Sequence, residues 1–216
     1  MLEIFGELQH GGPIMVPILI CSIIATGIAL ERMLFLRSGS ILPSSLLESL
    51  RVLQKPEDLP TIENLANANT SPLGTMLQLL LRHKDQDRAK IVVKLEEWAR
   101  QYTLEMERGL ETLGIVASVS PMLGLMGTVL GMVMTFDSIQ SYGLGNIDAL
   151  AGGISQALLT TLAGLAVGIP SLIAHRYLEK KVDIILLELE GQATIVLNLC
   201  EKQQQHLEQR IDSLEQ

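Results

Sequence analysis

Charge is scarce in this sequence. Asp, Glu, Lys and Arg make up 19% of the 216 residues, where soluble domains usually carry about 25%. Aromatics are scarcer still: three Phe, three Tyr and one Trp leave no stacking platform for nucleic-acid bases. The 24 acids outnumber the 16 bases, and the resulting charge of −8 removes the attraction to phosphate as well. Two cysteines cannot build a disulfide framework. A Gly-rich phosphate loop, a metal-ligand spacing and a nucleophile elbow are all missing, and His10, His83, His175 and His206 are scattered. No cofactor, metal or nucleic-acid partner is expected.

The missing charges leave three long gaps. Gly11–Leu30, Thr112–Phe136 and Ala149–Ala174 contain no Lys, Arg, Asp or Glu over 20, 25 and 26 residues. A bilayer span needs about 20 residues at a rise of about 1.5 Å each, so each gap reads as a transmembrane helix. The first is preceded by Glu3 and Glu7 and by no base, which is the wrong flank for a cleaved leader, and it reads as a retained span. An intramembrane enzyme needs a Ser/His or paired-Asp constellation at membrane depth; no His or Asp lies in these windows, so no enzyme is expected.

Bases set the orientation. All 16 Lys and Arg fall within Arg32–Arg108 and Arg176–Arg210, with none before Arg32 and none in Asp137–Asp148. The positive-inside rule then places the N-terminus and the second-to-third connection outside, and the middle segment and tail inside. Phe136 and Tyr142 at one edge, with Phe35 and Tyr177 at the other, fit aromatic belts.

Between the first two spans, Pro43, Pro60 and Pro72 each sit where a helix can start, with Ser71-Pro72 a good N-cap and N1 pair. Beyond about Arg88 a heptad stripe follows: Val92, Leu95, Ala99, Tyr102, Met106, Gly109 and Leu113. The tail repeats it with Val182, Leu186, Leu189, Ala193, Val196, Cys200, Gln203 and Leu207. If the third helix is continuous from Ala149 to near the C-terminus, it is about 100 Å long. The spans and stripes favour self-assembly.

The second and third spans carry small residues on one face each: Gly124, Gly127 and Gly131 on one, Ala157, Thr161, Gly164 and Gly168 on the other. Small residues let membrane helices approach closely, because lipid gives no hydrophobic drive to associate. Pro121 and Pro170 lie inside the spans as helix-shaping positions. Thr128, Thr160, Thr161 and Gln156 are candidates for a wet, proton-conducting seam, as are Ser118 and Ser120. The hydroxyls can equally return a bond to their own helix. A proton path normally needs a titratable group near the midplane. These spans lack one, so a partner helix has to bring the carboxylate, or the chain is a non-conducting membrane scaffold.

The runs SPMLGLMGTVLGMVMTF and GISQALLTTLAGLAVGIPSLIAHRYL resemble the two signature spans of the MotA/TolQ/ExbB proton-channel family, and PILICSIIATGIALERMLFLR resembles the first span of short ExbB-type members. The resemblance runs from about Gly12 to Tyr177 and is least specific in Leu42–Asp87 and in the tail. It implies an all-α membrane protein of the bacterial inner membrane. Its parts are a periplasmic N-terminus at 1–12, spans at 13–36, 112–136 and 149–176, a cytoplasmic helical region at 37–111, a periplasmic loop at 137–148 and a cytoplasmic helical tail at 177–216. Spans two and three extend into the cytoplasm as long helices. It further implies a stator subunit that forms pentamers around an ExbD- or TolR-like single-span subunit carrying the membrane Asp, and that works with a TonB- or TolA-like protein. Thr128 and Thr161 occupy the positions that face the pore in that family. Gln156 departs from it, standing where ExbB-type members often carry Glu. Three spans disfavour the four-span flagellar branch. The opening HGGPIMVPILICS and the exit ALERMLFLR favour an ExbB role in TonB-dependent transport over a TolQ-like role in the envelope.

Overall fold

The structure, a computed structural model, describes residues 11–53, 55–143 and 147–212. Glu3, Glu7, the side chains of Tyr142 and Leu207, and the end of the tail lie outside the described residues. Within them the chain forms eight α-helices, one 3-10 turn and no strand. These are α1 (Met15–Phe35), α2 (Ser38–Ile41), α3 (Ser44–Val52), the turn Pro56–Asp58, α4 (Leu59–Asn67), α5 (Pro72–Arg82), α6 (Arg88–Glu107), α7 (Leu110–Tyr142) and α8 (Ile147–Asp212). α1, α7 and α8 are long and apolar enough to cross a bilayer. Large apolar side chains such as Val16, Ile23, Met122, Leu125, Leu158 and Ile173 stay exposed along them. Water penalises so much exposed apolar surface, whereas lipid or neighbouring helices satisfy it. The chain is a multi-pass, all-α membrane protein.

Helix boundaries follow local chemistry. Ser71 accepts a hydrogen bond from the Gly74 amide at 3.2 Å, and Pro72 occupies the first helical position of α5. Pro43 directly precedes α3, and Pro60 lies in the first turn of α4. The heptad stripe from Val92 to Leu113 predicts an unbroken helix, yet the backbone breaks at Arg108–Gly109. Arg108 leaves the helical region and Gly109 adopts φ +81°, a left-handed conformation that costs other residues about 1–2 kcal/mol. Glycine at that stripe position is therefore a break rather than a core contact. The expected connection at 137–148 is shorter than its charges suggest. α7 continues through Asp137 to Tyr142, Gly143 ends it at φ +69°, and α8 begins at Ile147. Charge marks where apolar surroundings end, whereas the helix needs a breaker to stop it, and Gly143 is the first glycine after Asp137.

The chain divides into two compact units, one holding the spans through Arg32 with Gly109–Glu179, the other Met33–Arg108 with the chain from Lys180 on. The second unit has its own core. Leu59, Ile62 and Ala66 of α4 meet Leu73, Leu77, Leu80 and Leu81 of α5, all essentially inaccessible. Gln78 closes the end of α4 by donating to the Ala66 carbonyl at 2.6 Å. In α8 the buried face is Val182, Ile185, Leu189, Ala193, Val196 and Cys200. The stripe read from sequence holds at Val182, Leu189, Ala193, Val196 and Cys200; Ile185 takes the interior place of Leu186, Leu186 and Gln203 are half-buried, and the side chain of Leu207 lies outside the described residues. Leu186 instead faces Val92, Leu95 and Ala99 of α6 across a cavity of about 270 Å³. Gln204 donates to the Lys84 carbonyl at 2.6 Å, and Arg88 pairs with Glu201.

Burial pushes the Cys200 thiol up to about 11, against the lowering pull of Lys84. Burial and the neighbouring Glu105 push Tyr102, stacked on Trp98, up to about 12. The thiolate is the reactive species, and at pH 8 it amounts to about a thousandth of Cys200 against about a quarter of an ordinary thiol. In a Cys21→Ser background, maleimide labelling of Cys200 at pH 8 should be about 200-fold slower than that of the unfolded chain. Between pH 6.5 and 8 it should accelerate about tenfold per pH unit. Equal rates for the native and unfolded chains at pH 8 would show that the thiol is not buried.

Candidate functional site

α7 and α8 form a tight antiparallel pair, with the end of α7 at Tyr142 and the start of α8 at Ile147 fixing which residues face each other. Moving away from the turn, Thr135 and Gly131 meet Gly153, Gly131 also meets Ala157, and Gly127 meets Thr160. Gly124 meets Thr160 and Thr161, Gly164 meets Ser120 and Gly124, Gly168 meets Pro121 and Ala117, and Gly114 meets His175. At each of these glycines except Gly114, an added methyl would come within 3.0 Å of a neighbouring atom. A methyl group on Gly131 would lie 2.7 Å from the Gly153 carbonyl oxygen and 2.8 Å from Ala157 Cβ. One on Gly168 would lie 2.6 Å from Pro121 Cγ. Pro121, inside α7, has no N–H to offer the Ala117 carbonyl, and the notch at Gly168 accommodates that stretch of helix. Pro170 lies on another side of α8, where it lines a groove of about 250 Å³ with Ser22, Ala25, Thr26 and Ala29 of α1.

The polar candidates separate into three groups. Thr160 is 1% exposed, bonds its own helix through Ala157 O at 2.9 Å, and fills the notch over Gly127. Within this chain Thr160 thus packs inside the α7–α8 seam. Gln156 precedes the seam residue Ala157 and turns to the flank where α1 packs. Its amide lies against Gly12, a residue at φ +70° whose missing side chain leaves the space. Thr128 and Thr161 directly follow the facing pair Gly127 and Thr160. In two antiparallel right-handed helices, a forward step of about 100° on either one turns toward the same side. Both threonines therefore lie on one edge of the seam, opposite α1, and both are half-buried. Thr161 Oγ1 donates across the seam to Gly124 O at 3.1 Å, and Thr128 Oγ1 donates to Leu125 O at 2.6 Å. Exposed Leu125, Met132, Leu158 and Leu165 flank this edge.

Ser120 is fully buried and bonded to Val116 O, whereas Ser118 is exposed and bonded to its own turn. Sequence reasoning missed Thr135, which sits over Gly153 and donates to Gly131 O at 2.9 Å, and the seating of Gln156 on Gly12. It also missed His175, whose Nδ1 is buried with no hydrogen-bond partner. An unsatisfied buried polar atom costs about 1–3 kcal/mol.

These two spans lie in the part of the chain that matches a known family. The MotA/TolQ/ExbB proton channel family description matches residues 66–191, which include all of α7 and the paired part of α8. A putative biopolymer transport protein ExbB-like 1 from Synechocystis is 32% identical over 182 residues, covering 82% of this chain and 70% of that protein. The biopolymer transport protein ExbB of Aquifex aeolicus is 39% identical over 100 residues, 45% of this chain and 68% of its own. The biopolymer transport protein exbB1 of Vibrio cholerae is 26% identical over 195 residues, 88% of this chain and 85% of its own. With more than half of its length matched, including both helices of the seam, the chain belongs to the MotA/TolQ/ExbB proton channel family.

Proposed function

We propose that this protein is the stator subunit of an ExbB-type motor in the bacterial inner membrane, using the proton motive force to energise TonB-dependent outer-membrane transport. It assembles as a homo-oligomer, a pentamer, around an ExbD-like single-span partner whose membrane Asp takes and releases the proton. Its N-terminus is periplasmic and its C-terminus cytoplasmic, and it performs no covalent chemistry of its own. The observation that supports this reading most is the edge of the α7–α8 seam. It presents Thr128 and Thr161 on the side away from α1, in spans whose sequence has no Asp, Glu, Lys or Arg from Thr112 to Phe136 or from Ala149 to Ala174. Hydroxyls there orient water and accept hydrogen bonds from a protonated carboxylic acid, while the acid itself comes from the partner.

The test is co-expression with a single-span, Asp-bearing subunit from the same genome in cells lacking their own ExbB and ExbD. The pair should restore proton-driven uptake through a TonB-dependent receptor, and partner Asp→Asn should abolish it. Restoration by this chain without a partner, or with the Asn variant, would remove the reading, and a monomer in gentle detergent would remove the pore.

A further inference from the structure

Two prolines interrupt the hydrogen-bond ladders of the paired spans, and the carbonyls they release meet different surroundings. Pro121 offers no N–H to the Ala117 carbonyl, which lies at the Gly168 notch, 3.1 Å from where a methyl on Gly168 would be. Pro170 likewise offers none to the Ala166 carbonyl. A helical carbonyl points along the axis toward the residue four positions on. Here both ends of that line, Ala166 and Pro170, border the groove of about 250 Å³ between α1 and α8, so the freed oxygen stands at the groove wall. The lining runs from Ser22 to Leu30 on α1 and from Ala166 to Ala174 on α8, inside the charge-free windows of both helices.

The groove is richer in acceptors than in donors. The Thr26 hydroxyl donates to Ser22 O at 2.8 Å and the Ser171 hydroxyl to Val167 O at 2.7 Å, each within its own helix. With those protons engaged, both hydroxyl oxygens keep only acceptor capacity, and the third hydroxyl of the lining, Ser22, can donate once. We propose that the groove is a water-binding site, with water donating to the Ala166 carbonyl and held further by Ser22, Thr26 and Ser171. A lipid tail would fit the space but offers no donor. A water offers two, needs 2–4 polar partners, and finds room here for several of its kind. Ordered water is one of the ways in which a proline inside a span is tolerated, because hydrocarbon cannot satisfy the freed backbone group. Leu30 and Ala174 close the two charge-free windows and also line the groove, so the water has a route to the membrane face that carries Arg32 and Arg176. α8 is then hydrated on the flank facing α1, apart from the edge that carries Thr128 and Thr161.

Thiol accessibility tests this on the full chain in lipid nanodiscs, in a Cys21→Ala, Cys200→Ala background. It uses no partner and no transport assay, so its outcome is independent of the proposed motor function. Ala29→Cys and Thr26→Cys each place a thiol on the groove, and Ile23→Cys places one nearby on the exposed side of α1, outside the lining. Apolar surroundings suppress the thiolate, so both groove thiols should react with a charged methanethiosulfonate at least 10-fold faster than Ile23→Cys. Adding Pro170→Ala, which returns an N–H to the Ala166 carbonyl, should slow the groove thiols at least threefold. Groove thiols as slow as Ile23→Cys would mean that lipid fills the space, and the proposal falls. It falls equally if all three positions react fast, since α1 would then be exposed to water all round. Groove rates unchanged by Pro170→Ala also overturn it, because the freed carbonyl would not be what holds the water.

Discussion

Replacing Gly164 by alanine is expected to cost about 3 kcal/mol or more, the upper end of the overpacking range, and to leave little folded protein. The added methyl would lie 2.5 Å from the Ser120 carbonyl oxygen, 3.0 Å from Gly124 Cα and 3.1 Å from Gly124 N. All three are backbone atoms, so no rotamer change can relieve the overlap, and the two helices must move apart. Separation loosens neighbouring contacts as well, since a Cβ on Gly124 would itself lie 3.0 Å from both Thr160 O and Thr161 Cα. Membrane helices are held by such close contacts and not by exclusion of water, so a small gap forfeits much of the attraction. Gly152→Ala is the control. Nothing lies within 4 Å of the added methyl, and alanine favours a helix over glycine by about 1 kcal/mol, so it should be neutral or mildly stabilising. Thermal unfolding in detergent compares the pair. If Gly164→Ala melts with wild type, the seam is not closely packed at this point.

The spans were legible because their signal is the absence of charge over about 20 residues, which nothing outside a bilayer commonly requires. The pairing of α7 with α8 was legible only in part. Small residues mark which faces approach, but facing partners are set by distance from the turn, and the turn was read from charges that mark the membrane edge. With α7 ending at Tyr142 and α8 beginning at Ile147, Gly131 falls opposite Gly153 and Ala157, and Gly114 falls opposite His175. A connection taken as 137–148 is too long to fix that register. The α6 stripe failed at Gly109 for a different reason. A glycine fits a heptad as a small residue and also permits a left-handed break, and periodicity alone does not choose between them.

The site residues divide along the same line. Gln156 and Thr160 read as pore candidates because both are polar at membrane depth, yet one faces Gly12 and the other fills a notch above Gly127. Neither Gly12 nor Gly127 is chemically informative in sequence; each matters by leaving a space that the polar side chain occupies. Gln156 takes on a definite meaning in that setting. An uncharged amide lies against the backbone at Gly12, on the flank where α1 covers α8, away from the edge that carries Thr128 and Thr161.

That division gives the sharpest functional expectation. Thr160→Val and Thr161→Val remove one hydroxyl each, from adjacent residues, with almost the same change in shape. Thr160 Oγ1 bonds only within its own helix, to Ala157 O at 2.9 Å and Gln156 O at 3.1 Å. Its loss leaves those carbonyls their helical partners and the notch over Gly127 filled. Thr161 Oγ1 crosses to Gly124 O at 3.1 Å on the open edge. Interhelical hydrogen bonds in membranes average about 0.6 kcal/mol, so neither variant should shift unfolding by more than a few degrees. Under the proposed function their activities should nevertheless diverge. With the Asp-bearing partner present, Thr161→Val should lose proton-driven uptake at least 10-fold, about 1.4 kcal/mol in the barrier, and Thr161→Ser should recover most of it. Thr160→Val should stay within about twofold of wild type, because its hydroxyl is buried in the seam and bonded within its own helix. Equal activity of the two valine variants at equal expression would mean that the edge serves packing alone, and Thr160→Val as the more damaging change would place the conducting surface inside the seam.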